Sequence, residues 1–291
     1  MPERPPSFDL QSHSRHSDGA LSPSEVVGTA AAAGVELLSL TDHDTVDGVR
    51  EAATAAEEVG IRLATGVEIS ALDRSSADLH ILGYLVDDRD PRLLERLERF
   101  RADRERRTTA MASALRELGF QIDERPLARR VAEGQPIGRP HIAEAVITHP
   151  ANADRLAAEG LTEPSAFLGA YLTEGRPAFR RRETPTVVEA IAAIHDAGGL
   201  AVWAHPFWDI PSPEDVLATI DRFRAGGIDG VECFYLTHDA EQSRLLATRC
   251  RELGLLSTGS SDFHGPAHPL LSRFRAFSTY GLEPRLGPIA G

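Results

Sequence analysis

Strand patterns alternate with helix patterns along most of this chain, and that alternation constrains its fold more than any other feature. Repeated strand, helix, strand order is typical of parallel sheets with right-handed crossovers. We therefore predict an α/β protein built on a parallel, barrel-like sheet. The predicted strands are residues 8–10, 35–40, 61–69, 79–86, 200–204, 228–234 and 255–258.

Capping signals mark the points where two of the helices begin. Ser22, Pro23 and Glu25 are typical of an N-cap, a first-turn proline and the acid of a capping box, so we predict a helix to about residue 33. Thr184 and Pro185 are interpreted in the same way, as the start of a helix that ends at residue 195. Further helices are predicted at 46–59, 213–224 and 239–253.

Residues 87–183 differ from the rest, because helix patterns follow one another there without a convincing strand. The longest pattern runs from Leu93 to Leu118 and is rich in arginine. We predict a barrel formed by residues 1–86 and 184–291, and a helical insertion domain, 87–183, that contributes to the substrate pocket. The shorter helix patterns of the insertion lie near 125–133, 140–147 and 164–171.

The composition limits the partners that such a chain can have. Its formal net charge is −13, and all 31 basic residues are arginines. That charge argues against broad attraction to nucleic-acid backbone or anionic membranes, although a local basic cleft is compatible with it. The arginines between 89 and 107 are interleaved with acids, which favours an ion-paired helix face over the alternative of RNA binding.

The two cysteines and the hydropathy of the chain indicate its compartment. Cys233 and Cys250 suit neither a disulfide framework nor a metal site, so we expect two buried thiols. The N-terminal residues lack an apolar signal segment, and no stretch of about 18 apolar residues occurs. We expect a cytoplasmic protein with no membrane partner and no obligate protein partner.

Histidines and acids lie at or just beyond the ends of the predicted strands. In a parallel barrel these ends meet at one rim, where ligands from distant parts of the sequence converge. Imidazole and carboxylate together suit Zn, Mn or Fe. Asp18 and Asp44 have the alternative role of helix N-caps, which fits Glu68 and Asp262 poorly. The candidate ligands are His13, Asp18, His43, Glu68, His80, His205, Asp262 and His264.

Short motifs surround these residues in a definite order outside the insertion. They are QSHS with SDG in 11–19, TDHDT in 41–45, GVE in 66–68, the strand of His80, AHP in 204–206 and SDFH in 261–264. In kind and order they resemble the PHP (polymerase and histidinol phosphatase) family. The resemblance implies a distorted (β/α)7, TIM-like barrel with an inserted small helical domain, and phosphoesterase activity with two or three divalent metal ions.

The same resemblance implies three metal positions with shared ligands. They are His13, Glu68 and Asp262 for the first, Asp18, His43 and His264 for the second, and Glu68, His80 and His205 for the third. Glu68, His43 and Asp262 form the predicted catalytic group, since Glu68 would fix the metal separation. Two metals about 3.5–4 Å apart can share a water whose pKa falls towards about 7, which would be the nucleophile. Asp42 or Asp44 would orient His43, or would act as turn residues.

Gln11 departs from the family pattern, because it stands where a histidine ligand is expected. An amide oxygen is a weak ligand for a transition metal, although Mg and Mn accept it. Three outcomes are open: Gln11 ligates weakly, His16 substitutes for the missing imidazole, or the site operates with two metals.

The predicted substrate is a small phosphorylated molecule. GRPHIAEAV at 138–146 resembles the branch that dephosphorylates nucleoside monophosphates or 3′,5′-nucleoside bisphosphates, and an arginine fork suits phosphate. We predict that Arg139 and His141 bind phosphate and that His238 contacts a second phosphate, or that they are surface and helix-start residues. Trp203, Phe207 and Trp208 flank His205, where one of them would stack on a base or all would be core.

We therefore predict a hydrolase that cleaves a nucleotide phosphomonoester with metal-activated water. The alternatives are a 5′ exonuclease acting on short RNA, a histidinol-phosphate phosphatase, and a degenerate barrel that only binds ligands.

Overall fold

The computed structural model describes residues 6–73, 78–132, 137–181 and 184–291, apart from the side chain of Asp78. These residues form two compact units. The first comprises the described residues up to Glu98 together with Pro185–Gly291, and the second comprises those of Arg99–Thr184. The second unit begins later than the predicted insertion, because the long helix starts in the first unit with Leu93 and Leu97 buried.

Seven strands form one sheet whose order follows the chain. At its two ends the Leu10 amide donates to the Gly259 carbonyl (3.3 Å), and Ser12 forms a parallel bridge with Phe263. The sheet is therefore nearly closed, as expected for a distorted TIM-like barrel. The strands are β1 Phe8–Asp9, β2 Leu37–Leu40, β3 Arg62–Leu72, β4 Asp78–Tyr84, β5 Leu200–Trp203, β6 Gly230–Tyr235 and β7 Leu256–Ser260.

The barrel-like sheet is confirmed, but its predicted parallel order does not hold at one strand. β4 is antiparallel to both β3 and β5, whereas the other neighbouring pairs are parallel. Only residues 73–77 separate β3 from β4, and a parallel pair would need a crossover of a dozen or more residues. The first residues of β4 therefore lie at the same rim as the last residues of the parallel strands.

The helices over the described residues are as follows: α1 Pro23–Ala32, α2 Val49–Val59, α3 Pro91–Glu117, α4 Glu124–Ala132, α5 Arg139–Ile147, α6 Ala153–Glu159, α7 Pro164–Phe167, α8 Val187–Asp196, α9 Pro206–Asp209, α10 Pro213–Ala225 and α11 Ala240–Leu253. Short 3-10 segments at Pro150–Asn152 and Gly287–Ala290 and a π-helical turn at Leu168–Leu172 accompany them. Among the described residues, no helix combines the length and the apolar character that a membrane span requires.

Capping explains where the barrel helices start. The predicted box before α1 is confirmed, because the Glu25 amide donates to the Ser22 hydroxyl and the Ser22 amide donates to the Glu25 carboxylate at 2.8 Å. The predicted start at Thr184–Pro185 was wrong. The N-cap of α8 is Thr186, which forms a second capping box with Glu189, because the hydroxyl and the acid stand three residues apart there.

Among its described residues, the second unit contains helices joined by turns and loops, and no strand. Its core is a cluster that includes Met111, Leu115, Phe120 and Phe167, with the rings of Phe120 and Phe167 packed edge to face at 5.2 Å. The insertion therefore has its own apolar core and needs no strand to form one.

In the first unit, both cysteines are free and fully buried, as predicted.

Candidate metal centre

The direction of the strands places the predicted ligands at one rim of the barrel. His43 follows β2 and forms a parallel bridge with Glu68 of β3. His205 follows β5, and Asp262 follows β7; their φ angles are positive, at 30° and 53°, so the chain turns sharply there. His80 lies near the start of β4 and reaches this rim because that strand is reversed.

The antiparallel ladder between β3 and β4 pairs two of these ligands locally. Its register sets Ser70 opposite His80 and Glu68 opposite Leu82. Glu68 and His80 are thus diagonal neighbours on one face of the hairpin, a spacing at which long side chains meet.

Glu68 lies at the centre of the group and has no exposed surface. Its Oε1 is 2.7 Å from His80 Nδ1 and 3.5 Å from His205 Nε2. Its Oε2 is 3.0 Å from His13 Nε2 and 3.8 Å from His43 Nδ1. One carboxylate thus approaches four imidazoles, as a ligand that bridges metal positions would do.

Three groups of donor atoms form around this carboxylate, each with its atoms within 4.8 Å of one another in the described residues. They are His13, Glu68 and Asp262; His13, Asp18, His43 and His264; and His43, Glu68 and His80. The first two contain the sets predicted for the first and second metals, with His13 shared. The third group contains Glu68 and His80 but not His205, whose Nε2 nevertheless lies 3.3 Å from His80 Nδ1 and 3.5 Å from Glu68 Oε1.

The chemistry of these atoms fits a divalent metal. Within the described part of the chain, His43 Nδ1 is buried and forms no hydrogen bond, while Glu68 Oε1 and Asp262 Oδ1 face the imidazole nitrogens of His80 and His13. A buried polar atom left without a partner costs about 1–3 kcal/mol, and a cation among such atoms would remove that cost. Imidazole and carboxylate donors are the ligands that Zn, Mn and Fe accept.

Hydrogen bonds on the outer side of two imidazoles leave their inner nitrogens available. His264 Nδ1 donates to the backbone carbonyl of Asp262 at 2.8 Å, and its Nε2 lies 3.4 Å from Asp18 Oδ1. His13 Nδ1 lies 3.4 Å from the Ser17 hydroxyl, and its Nε2 is directed at Glu68 and Asp262. Such outer contacts fix the tautomer and ring orientation of metal-binding histidines.

The electrostatics of the centre favour ionised acids. Burial would raise the pKa of Glu68, but His43 and His80 hold it well below its usual range. Burial likewise opposes ionisation of Asp18, yet His43 and His264 keep its pKa well below the usual value. Asp18 and His80 are the most open of the predicted ligands, with 32% and 26% of their side chains exposed, so solvent reaches the centre from their side.

Gln11 is fully buried and contacts the centre through its amide nitrogen. Nε2 donates to Glu68 Oε2 at 2.8 Å, while Oε1 accepts from the Ser260 hydroxyl at 3.2 Å. The reversed amide would set its oxygen against a carboxylate, so this orientation is electrostatically preferred. Gln11 thus directs a donor at Glu68 rather than a ligand oxygen at a metal. His16 belongs to none of the donor groups of the described residues.

Asp42 and Asp44 hold the loops around the ligands. Asp42 accepts from the Ser14 amide and hydroxyl, both at 2.7 Å, and from the Ser17 hydroxyl at 2.6 Å. Asp44 accepts from the Ser70 amide at 3.0 Å. Because His43 Nδ1 has no hydrogen bond, neither acid orients that nitrogen as predicted. Nor are Asp18 and Asp44 N-caps, since the N-cap of α1 is Ser22 and that of α2 is Gly48.

Several residues that support the ligands were not predicted from the sequence. The Tyr235 hydroxyl donates to Asp262 Oδ2 at 2.9 Å, and the His205 amide donates to Glu232 Oε2 at 2.9 Å. Asp9 accepts from the Ser261 amide at 2.9 Å, next to Asp262. Burial raises the pKa of Glu232 to about 8. A charged residue inside an apolar strand pattern, as Glu232 is in β6, was the available signal.

The three predicted substrate-binding residues lie in different surroundings. Arg139 is the first residue of α5, and His141 Nδ1 accepts from the Gly138 amide at 2.9 Å, so this nitrogen caps its own helix. His238 is buried, its Nδ1 donates to the Cys233 carbonyl at 3.2 Å, and burial lowers its pKa to about 4. His238 Nε2 therefore offers a lone pair, which suits a ligand N–H or O–H better than phosphate.

A nearly closed α/β barrel with clustered imidazoles and carboxylates at one rim is typical of metal-dependent hydrolases, including phosphoesterases. The chain belongs to the PHP domain family, whose model matches residues 9–121. It is 36% identical to a 5′-3′ exoribonuclease of Haemophilus influenzae, over 89% of this chain and 90% of that protein.

Two further comparisons extend over almost the whole chain. A 3′,5′-nucleoside bisphosphate phosphatase of Chromobacterium violaceum is 33% identical, over 89% of this chain and 87% of that protein. The crystal structure of a candidate metal-dependent phosphoesterase from Bifidobacterium adolescentis superposes with a TM-score of 0.73 at 32% identity, covering 92% of this chain and 91% of that one. The resemblance predicted from the motifs is thus confirmed, and the enzyme class is hydrolase.

Proposed function

We propose that this protein removes a phosphate from a nucleotide of the monophosphate or 3′,5′-bisphosphate type. The observation that carries the proposal is the buried carboxylate of Glu68 among four imidazoles at an open barrel rim. A relative named for 3′,5′-nucleoside bisphosphates and another named for RNA support a nucleotide substrate.

The proposed ligands of two or three divalent ions, Mn, Zn or Fe, are the side chains that converge at the rim. They are His13, Asp18, His43, Glu68, His80, His205, Asp262 and His264. When bound, the metals would supply Lewis acidity, which lowers the pKa of a water molecule and neutralises charge on the phosphate. The role proposed for Glu68, His43 and Asp262 is to hold the metals and so fix the position at which the water attacks the phosphate.

The residues of the chain would supply orientation. Tyr235 holds one oxygen of Asp262, which leaves the other, Oδ1, 3.0 Å from His13 Nε2. Asp42 ties Ser14 and Ser17 together and so holds the loop that carries His13. Groups held in place before the substrate binds need no reorganisation during the reaction.

Replacing a central ligand tests the proposal. His43→Ala and Asp262→Ala should each abolish phosphate release from nucleotides and lower the metal content of the purified protein, because each removes a donor from the groups around Glu68. His149→Ala, in the other compact unit, is the matched control and should retain both. Phosphate release that survives either ligand substitution would contradict the assignment. Wild-type protein with neither bound metal nor activity in added Mn would favour a degenerate binding module.

Exoribonuclease activity is the second candidate, because a relative 36% identical carries that name and the net charge of the second unit is compatible with RNA. Residues 99–184 hold 15 of the 31 arginines but only 12 of the 44 acids, so this unit is net positive in an acidic protein. Basic surfaces attract polyanions such as RNA. Arg139 is a proposed phosphate contact in either case. A 5′-phosphorylated oligonucleotide distinguishes the two activities, because a phosphatase releases inorganic phosphate and an exonuclease releases mononucleotides.

A further inference from the structure

The two tryptophans of the chain lie five residues apart in very different surroundings. Trp203, in β5, is fully buried and packs edge to face on Phe223 at 5.2 Å. Trp208, in α9, is 53% exposed. The alternative that all these aromatic residues belong to the core therefore holds for Trp203 and fails for Trp208.

Trp208 borders the metal centre. Its ring centroid is 6.4 Å from that of His205, a proposed ligand, and 6.1 Å from that of Tyr235, whose hydroxyl binds Asp262. Single exposed apolar residues are common on proteins. Trp208 differs from such residues, because its ring lies against the proposed ligand His205 and against Tyr235, which holds the proposed ligand Asp262.

Local structure holds this ring in place. His205 has a φ of 30°, and Pro206 fixes the first turn of α9, in which the Trp208 amide donates to the His205 carbonyl at 2.9 Å. The Tyr235 ring meets Trp208 at 84°, an edge-to-face arrangement. The indole is therefore positioned from two sides while about half of its surface stays open to solvent.

We infer that Trp208 is a stacking platform for the nucleobase of the substrate. This inference rests on the proposed function, because a base is present only in a nucleotide. A phosphate held at the centre and a base joined to it through a ribose lie one sugar apart, and Trp208 lies beside the centre. Aromatic platforms bind every base through its π-face, so Trp208 would give affinity for nucleotides without strict base selection.

The test compares AMP with ribose 5-phosphate, which carries the same phosphate and sugar without a base. In Trp208→Ala, the ratio of kcat/KM for AMP to that for ribose 5-phosphate should fall about tenfold through KM, and Trp208→Phe should restore most of it. Val188→Ala removes another exposed apolar side chain of the same unit and should leave the ratio unchanged. An equal loss on both substrates, or no change in the ratio, would overturn the inference.

Fluorescence gives a readout that does not depend on turnover. Since Trp203 is buried, quenching by acrylamide reports Trp208, and AMP should protect it while ribose 5-phosphate should not. If the wild-type protein hydrolyses neither compound, the proposed function fails. Protection of Trp208 by AMP would still show whether the indole stacks on a base. Absence of protection would overturn the role of Trp208 even in an active enzyme.

Discussion

His238 should make the barrel sensitive to acid in a measurable way. The imidazole is 2% exposed, lies against the rings of Phe207 and Tyr235, and donates to the Cys233 carbonyl. Burial lowers its pKa from 6.5 to about 4. In the unfolded chain the imidazole takes up a proton below pH 6.5, whereas in the folded protein it stays neutral until about pH 4. The folded state is therefore most stable above pH 6.5, and stability is lost as the pH falls from 6.5 to about 4, where the folded protein also takes up the proton.

The size of the effect follows from the difference in pKa. One pKa unit corresponds to about 1.4 kcal/mol, so a pKa lowered by about 2.5 corresponds to roughly 3.4 kcal/mol in full, of which about 3 kcal/mol is lost between pH 7 and pH 4. His238→Asn isolates the contribution of His238 protonation to stability, because an asparagine amide can donate to the Cys233 carbonyl and does not titrate in this range. The wild type should lose about 3 kcal/mol more than this variant over that interval.

Urea unfolding at a series of pH values, in the presence of a chelator, measures this difference. Tryptophan emission reports the barrel alone, since Trp203 and Trp208 both lie in the first unit. His149→Asn is the control, because this partly exposed histidine caps a short helix and asparagine is also a good cap. If the free energy of unfolding changes with pH by the same amount in the wild type and in His238→Asn, the reasoning is refuted.

Two further outcomes follow from the metal centre. Removing metal with a chelator should lower the melting temperature of the barrel, by roughly 8–16 °C if the metal was present at about 1,000 times its Kd, and unchanged calorimetric scans would argue against a metal held by Glu68. Gln11→Ala should leave the number of metals per chain unchanged in mass spectrometry, because Gln11 presents a donor to Glu68. Loss of one metal in that variant would show that Gln11 is a ligand after all.

Much of the centre could be predicted from sequence because strand ends and motifs coincide. TDHDT, AHP and SDFH follow apolar strands, and the ends of neighbouring parallel strands share a rim. The direction of β4 could not be predicted from its apolar pattern, since period and burial are the same in both directions. The short connection before it was the only local signal, because it excludes a crossover.

Other sequence signals pointed two ways. Thr184 and Thr186 both precede residues that can open a helix, and the acid at Glu189 selects the second. His141 matched a phosphate-binding motif, yet one of its nitrogens is used by the Gly138 amide. The sequence shows that Gln11 replaces an expected histidine but does not show what the amide does. The structure shows that its nitrogen, rather than its oxygen, is directed at Glu68.

The reversed strand β4 also has a consequence for the order of folding. Glu68 and His80 are twelve residues apart and meet within one hairpin, whereas His13 and Asp262 meet only when the two ends of the sheet join. Closing a short loop costs less entropy and takes less time than closing a long one. We expect the Glu68–His80 pair to form early, and the remaining ligands to reach it only after β7 has been synthesised and docked. Metal would then bind fully only to a finished chain, so a truncated or stalled product would lack the tight-binding centre.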